Sequence, residues 1–123
     1  MKQKISEAEW QVMDALWTLG GATAAELTAA LADTGWNRNT VHTFLTRLAA
    51  KGFVCEQGGS PKKYAAAVPR EDSVREQTES FVSRVFHGSA SRLVRTFLQQ
   101  NDLSEDEIDE LRRLLDDAEA RGK

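Results

Sequence analysis

The stretch WNRNTVHTFLTRLAAK, residues Trp36 to Lys51, decides how this chain is read. Val41, Phe44, Leu45 and Leu48 recur at helical spacing and form one apolar stripe that can close against a core. At about 100° per residue, the opposite side carries Asn39, Thr43, Thr46 and Ala50, flanked by His42 and Arg47. That side has short hydrogen-bonding groups and a cation but no carboxylate. A solvated helix mixes both signs of charge, whereas a helix that enters the major groove must lack acids and carry groups short enough to touch base edges. The stretch reads as a DNA-recognition helix.

The flanking segments supply the rest of a helix-turn-helix. Ser6-Glu7-Ala8-Glu9 is a capping box, and the helix it opens carries Trp10, Met13, Leu16 and Trp17 on one stripe before Gly20-Gly21 ends it. Thr23-Ala24-Ala25-Glu26 repeats the device for a short second helix through Leu27, Ala30 and Leu31, and Asp33-Thr34-Gly35 turns the chain into the third. Lys51-Gly52 closes the third helix. Phe53 to Gln57 and Lys62 to Val68 then suit strands around the turn residues Gly58-Gly59-Ser60-Pro61. Three helices and a hairpin whose tip carries Lys62 and Lys63 form a winged helix-turn-helix over residues 1–68.

From Pro69 the character changes. Val74, Phe81, Val82, Val85 and Phe86 mark one helix; Leu93, Val94, Phe97 and Leu98 mark a second; Ile108, Leu111, Leu114 and Leu115 mark a third, opened by the capping box Ser104-Glu105-Asp106-Glu107. Residues 69–123 are too few for an independent monomeric core, so these stripes call for a partner, and a second copy is the simplest. The expected class is mostly α with a small β-hairpin: an N-terminal winged helix-turn-helix and a C-terminal helical dimerisation domain. Val74, Phe81, Val85, Leu93, Phe97, Ile108, Leu111 and Leu115 are its expected interface.

The net charge of −3 suits a nucleic-acid binder only when divided along the chain. Residues 1–68 hold seven Lys/Arg and six Asp/Glu, and residues 69–123 nine and thirteen, so the balance is +1 against −4. Within residues 36–63, Arg38, Arg47, Lys51, Lys62 and Lys63 face Glu56 alone, or +4. Charges farther apart than about 8 Å are largely screened at physiological salt, so the local balance governs attraction to phosphate. Cys55, the single cysteine, reads as strand filler and excludes an internal disulfide or a thiolate-rich metal site. No basic leader with a long apolar run appears, which points to a cytoplasmic protein without membrane insertion. His42 and His87 lie in separate segments, with no nucleophile-base pair, glycine-rich phosphate loop or metal spacing, so neither catalysis nor a cofactor is expected.

ISEAEWQVMDALW, WNRNTVHTFLTRLAAKGFV and LVRTFLQQNDLSEDEIDELRRLL together resemble the penicillinase-repressor family, the BlaI/MecI/CopY type, over nearly the whole chain and in the family's order. The resemblance implies a dimeric bacterial repressor of resistance or sensor genes, binding a dyad-symmetric operator with a TACA/TGTA-like core. The family's recognition helix is similar to residues 37–51, with the Thr40, Thr43 and Arg47 positions kept; Asn39 stands where relatives commonly carry lysine, and His42 where they carry arginine or glutamine. It also implies inactivation by a membrane sensor-protease at the aligned Thr96-Phe97 bond, where Phe97 matches and Thr96 replaces the family's asparagine. The tail DDAEARGK lacks the cysteines of the copper-responsive branch.

The expected DNA-binding residues are therefore Arg38, Asn39, Thr40, His42, Thr43, Thr46 and Arg47 on the helix and Lys62 and Lys63 on the wing. Plainer readings stand beside them. Arg47 could pair with Glu7, His42 could be idle on a helix flank, and the wing lysines could be solubilising charges on a strand edge. Two other functions stay open, a winged helix used for protein contact and a regulator that senses a ligand in its helical domain.

Overall fold

The computed structural model describes residues 4–122. In chain order it contains α1 (Glu7–Leu19), β1 (Ala22–Thr23), α2 (Ala24–Ala30), a 3-10 turn (Ala32–Thr34), α3 (Arg38–Ala50), β2 (Val54–Gln57), β3 (Lys63–Ala66), α4 (Arg70–Phe86), α5 (Ala90–Gln100) and α6 (Glu105–Arg121). Each of the three capping boxes forms reciprocally, at Ser6/Glu9, Thr23/Glu26 and Ser104/Glu107. Asn37 caps α3, its Oδ1 accepting from the Thr40 N–H at 2.9 Å. Gly20 ends α1 in the left-handed conformation, φ 75°, which costs a side-chain-free residue little.

The chain forms two compact units, Met1–Arg75 and Glu76–Lys123, which divide inside α4. In the first, Val12, Met13 and Leu16 of α1, Leu27 of α2 and Val41, Leu45 and Leu48 of α3 are sealed from solvent, and Val54 and Tyr64 close the core from the sheet. Phe44, expected on the same stripe, is half-buried at its margin with its ring 4.9 Å from that of Trp36. The sheet has three antiparallel strands in the order β1-β3-β2, with Ala22 opposite Tyr64 and Glu56 opposite the other side of the same residue. The expected hairpin is thus the β2-β3 part of a larger sheet. β1 has no sequence signature, because two residues are too few to show alternation, and its pairing with β3 places it.

Trp10 and Trp17 meet edge to face at 5.3 Å on α1, and the Trp17 Nε1–H donates to the Val68 carbonyl at 3.0 Å. That bond fastens the segment after the wing to the first helix. Trp17→Phe keeps the aromatic packing but leaves the carbonyl without its donor, so the unfolding free energy should drop by about 1 kcal/mol in a denaturant titration.

The second unit carries an apolar surface. Phe81, Val85, Phe97, Ile108, Leu111 and Leu115 are all exposed, between 37% and 70%, and Leu93 is half-buried. Val74, also expected at a dimer contact, lies half-buried within the first unit.

Candidate nucleic-acid interface

The side of α3 away from the core is open. Arg38, Asn39, His42, Thr43, Thr46 and Arg47 are exposed, and Thr40 is half-exposed beside the Asn37 cap. The Thr43 and Thr46 hydroxyls each donate back to a carbonyl one turn earlier, those of Asn39 and His42, both at 3.0 Å. Among the described residues no carboxylate pairs with Arg38 or Arg47, so the contact between Arg47 and Glu7 considered from sequence is absent there.

Lys51 departs from the sequence expectation. Its Nζ donates to both carboxylate oxygens of Glu9, at 2.7 and 3.0 Å, and to the Lys4 carbonyl at 2.9 Å. The Glu9 side chain is 3% exposed and that of Lys51 27%. The cation counted toward the local balance is therefore committed to structure, tying the end of α3 to the start of α1. Burial alone would push the Glu9 carboxyl up; the hydrogen bonds from Lys51 and Ser6, with the Lys51 charge, outweigh it and hold the carboxyl below its usual range.

The wing lysines also have acidic neighbours. Lys62 sits in the turn before β3 with its Nζ 3.3 Å from Glu56 Oε2, a pair about half exposed at both ends and therefore weak. Lys63 opens β3. The Thr23 backbone N–H, the Thr23 hydroxyl and then the charge of Lys63 hold the Glu26 carboxyl below its usual range, which places Lys63 in the field of the α2 cap.

Between α3 and the wing lies a cleft of about 310 Å³, bordered by Thr23 at the start of α2, by Arg38 and His42, and by Pro61, Lys62 and Tyr64. No carboxylate lines it. The structure thus brings Arg38, His42 and Lys62 around one hollow and leaves Asn39, Thr43, Thr46 and Arg47 on the open helix surface. Sequence reasoning did not find Thr23, Pro61 and Tyr64 as walls of this hollow, since β1-β3 pairing assembles them. Cys55 is exposed on β2. Among the described residues no cluster of His, Cys, Asp and Glu could hold a metal ion, and no helix is long and apolar enough to cross a membrane.

A sheet-backed recognition helix with an acid-free outer face and a cationic wing beside it defines a winged-helix DNA-binding regulator. The chain belongs to the penicillinase-repressor family, whose model, described as penicillinase repressor, matches residues 5–117. It is 33% identical over 114 residues to the methicillin resistance regulatory protein MecI of Mammaliicoccus sciuri, covering 91% of this chain and 93% of that one. It is 30% identical over 122 residues to the penicillinase repressor of Bacillus licheniformis, covering 98% and 95%. Among solved structures, YusO of Bacillus subtilis superposes with a TM-score of 0.54 at 12% identity, covering 94% of this chain and 75% of that one. The MarR C80S variant from E. coli complexed with operator DNA gives 0.52 at 19% identity, covering 93% and 75%. The family resemblance and the winged-helix class read from the sequence are both borne out.

Proposed function

We propose that this chain is a dimeric transcriptional repressor that binds a dyad-symmetric operator, each copy laying α3 in the major groove with its wing against the backbone. The observation that carries this reading is the outer face of α3, where Arg38 and Arg47 stand among amides and hydroxyls with no carboxylate partner among the described residues. Asn39, Thr40, Thr43, Thr46 and Arg47 meet base edges or adjacent phosphates, and Lys62 and Lys63 add sequence-independent affinity. The dimer sets two such helices about one turn of the duplex apart, or a multiple of it, roughly 34 Å per turn. Regulation and repression are what the names of the two relatives support, one a methicillin resistance regulatory protein and the other a penicillinase repressor.

The test is a salt-dependent titration against the DNA upstream of the chain's own gene and against a scrambled duplex. Tight binding to the first alone, weakening steeply as salt rises, is the expected result. Equal, weak binding to both would favour the rival reading as a protein-contact module. Arg47→Ala should raise the Kd about fivefold to 150-fold, which corresponds to about 1–3 kcal/mol for a base contact. An unchanged Kd removes Arg47 from the site.

Release by a membrane sensor-protease remains part of the proposal. Thr96 and Phe97 lie inside α5, so cleavage between them requires that helix to unwind first. A fragment ending at Thr96 after incubation with a cognate protease is the expected product.

A further inference from the structure

His42 stands where the family resemblance leads one to expect arginine or glutamine, and the structure places it, exposed, at the edge of α3 where it lines the cleft beside the wing. Arg38 precedes it by one turn of the same helix, and Lys62 approaches from the wing. The hollow has room for a tetrahedral anion, carries cationic donors on two sides and presents no acid. Resting on the repressor reading above, we infer that this cleft seats one backbone phosphodiester of the bound DNA in each half-site, with Arg38, His42 and Lys62 as its donors, and that His42 takes up a proton as the phosphate enters.

The proton follows from the groups that face the imidazole. From its own helix there is the Arg38 guanidinium; from the wing, the Lys62 ammonium and the Tyr64 phenol. The start of α2 contributes no charge to the lining. The acids nearby are engaged, Glu56 with Lys62 and Glu26 with the Thr23 cap and the field of Lys63. A phosphodiester is therefore the anion that can favour an imidazolium there, and histidine is the side chain whose ordinary titration falls between pH 5 and 8. Since the phosphate favours the charged ring, the charged ring favours the phosphate by the same factor. Affinity for DNA accordingly rises as pH falls, with uptake of at most one proton per cleft.

The test is fluorescence-anisotropy titration of the intact protein at pH 6, 7 and 8 and fixed salt, on the upstream duplex and on a scrambled one. Wild-type binding should be about fivefold tighter per cleft at pH 6 than at pH 8. His42→Gln should be weaker and lose this dependence, and His42→Arg should bind tightly without it. His87→Gln, in the turn between α4 and α5, should behave as wild type. Replacing one phosphate per half-site by a neutral methylphosphonate should remove the pH dependence and lower the salt slope by about one per site. Inorganic phosphate alone, at the phosphate concentration of the duplex, should leave the His42 ring resonances in place; movement equal to that caused by DNA would make the cleft a general anion site and overturn the proposal. Wild-type binding to the upstream duplex that is specific but flat from pH 6 to 8 also overturns it and leaves the repressor reading intact. Failure to bind either duplex at any pH sinks the repressor reading, and this inference with it.

Discussion

Lys51→Ala lowers the unfolding free energy by about 3 kcal/mol, because it strands the Glu9 carboxylate, 3% exposed, without its counter-charge. The figure lies at the lower end of the range for a broken buried pair, since the 27% exposure of Lys51 lets water take over part of the contact. Replacing both partners, Glu9→Gln with Lys51→Met, should recover much of the loss, which separates the stranded charge from the lost packing. The pair also sets an acid limit. With the folded Glu9 pKa below its ordinary value, the contribution is complete above the usual glutamate range, about pH 4.3, and disappears as the pH falls through the depressed folded value. Stability curves of wild type and Glu9→Gln should therefore differ at pH 7 and converge at strongly acid pH. Curves that stay parallel to pH 2 would show that the pair adds nothing through ionisation.

On the proposed dimeric reading, Leu111→Asp should yield monomers and weaken operator binding by more than tenfold. Leu111 on α6 is 38% exposed in the single chain, so a carboxylate there meets water and costs the monomer little. Buried against a second copy, the same carboxylate has no partner and costs several kcal/mol. Gel filtration should show the change in size, with the helical circular dichroism retained. Elution as an unchanged dimer would move the interface off this part of α6. The loss of DNA affinity follows because an isolated half-site forgoes the second recognition helix.

The parts of this molecule legible in the sequence are those whose cause is local. The stripe Val41, Leu45 and Leu48 buries as its period dictates, and the three capping boxes form because their partners lie three residues apart. The exposed row from Arg38 to Arg47 follows from the same projection. The features that escaped depend on distant partners. β1 exists because Ala22 finds Tyr64, and Lys51 is committed to structure because Glu9, read locally as a cap, turns a second side toward it. The cleft needs the turn, the sheet and α3 together, so nothing in the spacing of Arg38, His42 and Lys62 announces it. Local rules thus picked out the helix proposed to meet DNA, whereas the arrangement of cations around it required the assembled fold.

The threonine pair on α3 narrows what kind of base it can address. Both hydroxyl protons are directed at the helix's own carbonyls, from Thr43 to Asn39 and from Thr46 to His42. What these side chains offer outward is a lone pair and a methyl group. A lone pair accepts from the amino group of adenine or cytosine in the major groove, and a methyl packs on the C5-methyl of thymine. Guanine, which shows only acceptors at its N7 and O6, gets nothing from either threonine and needs a donor such as Arg47. On the proposed reading the side chains thus sort the bases by polarity, the threonines for amino and methyl groups and Arg47 for guanine.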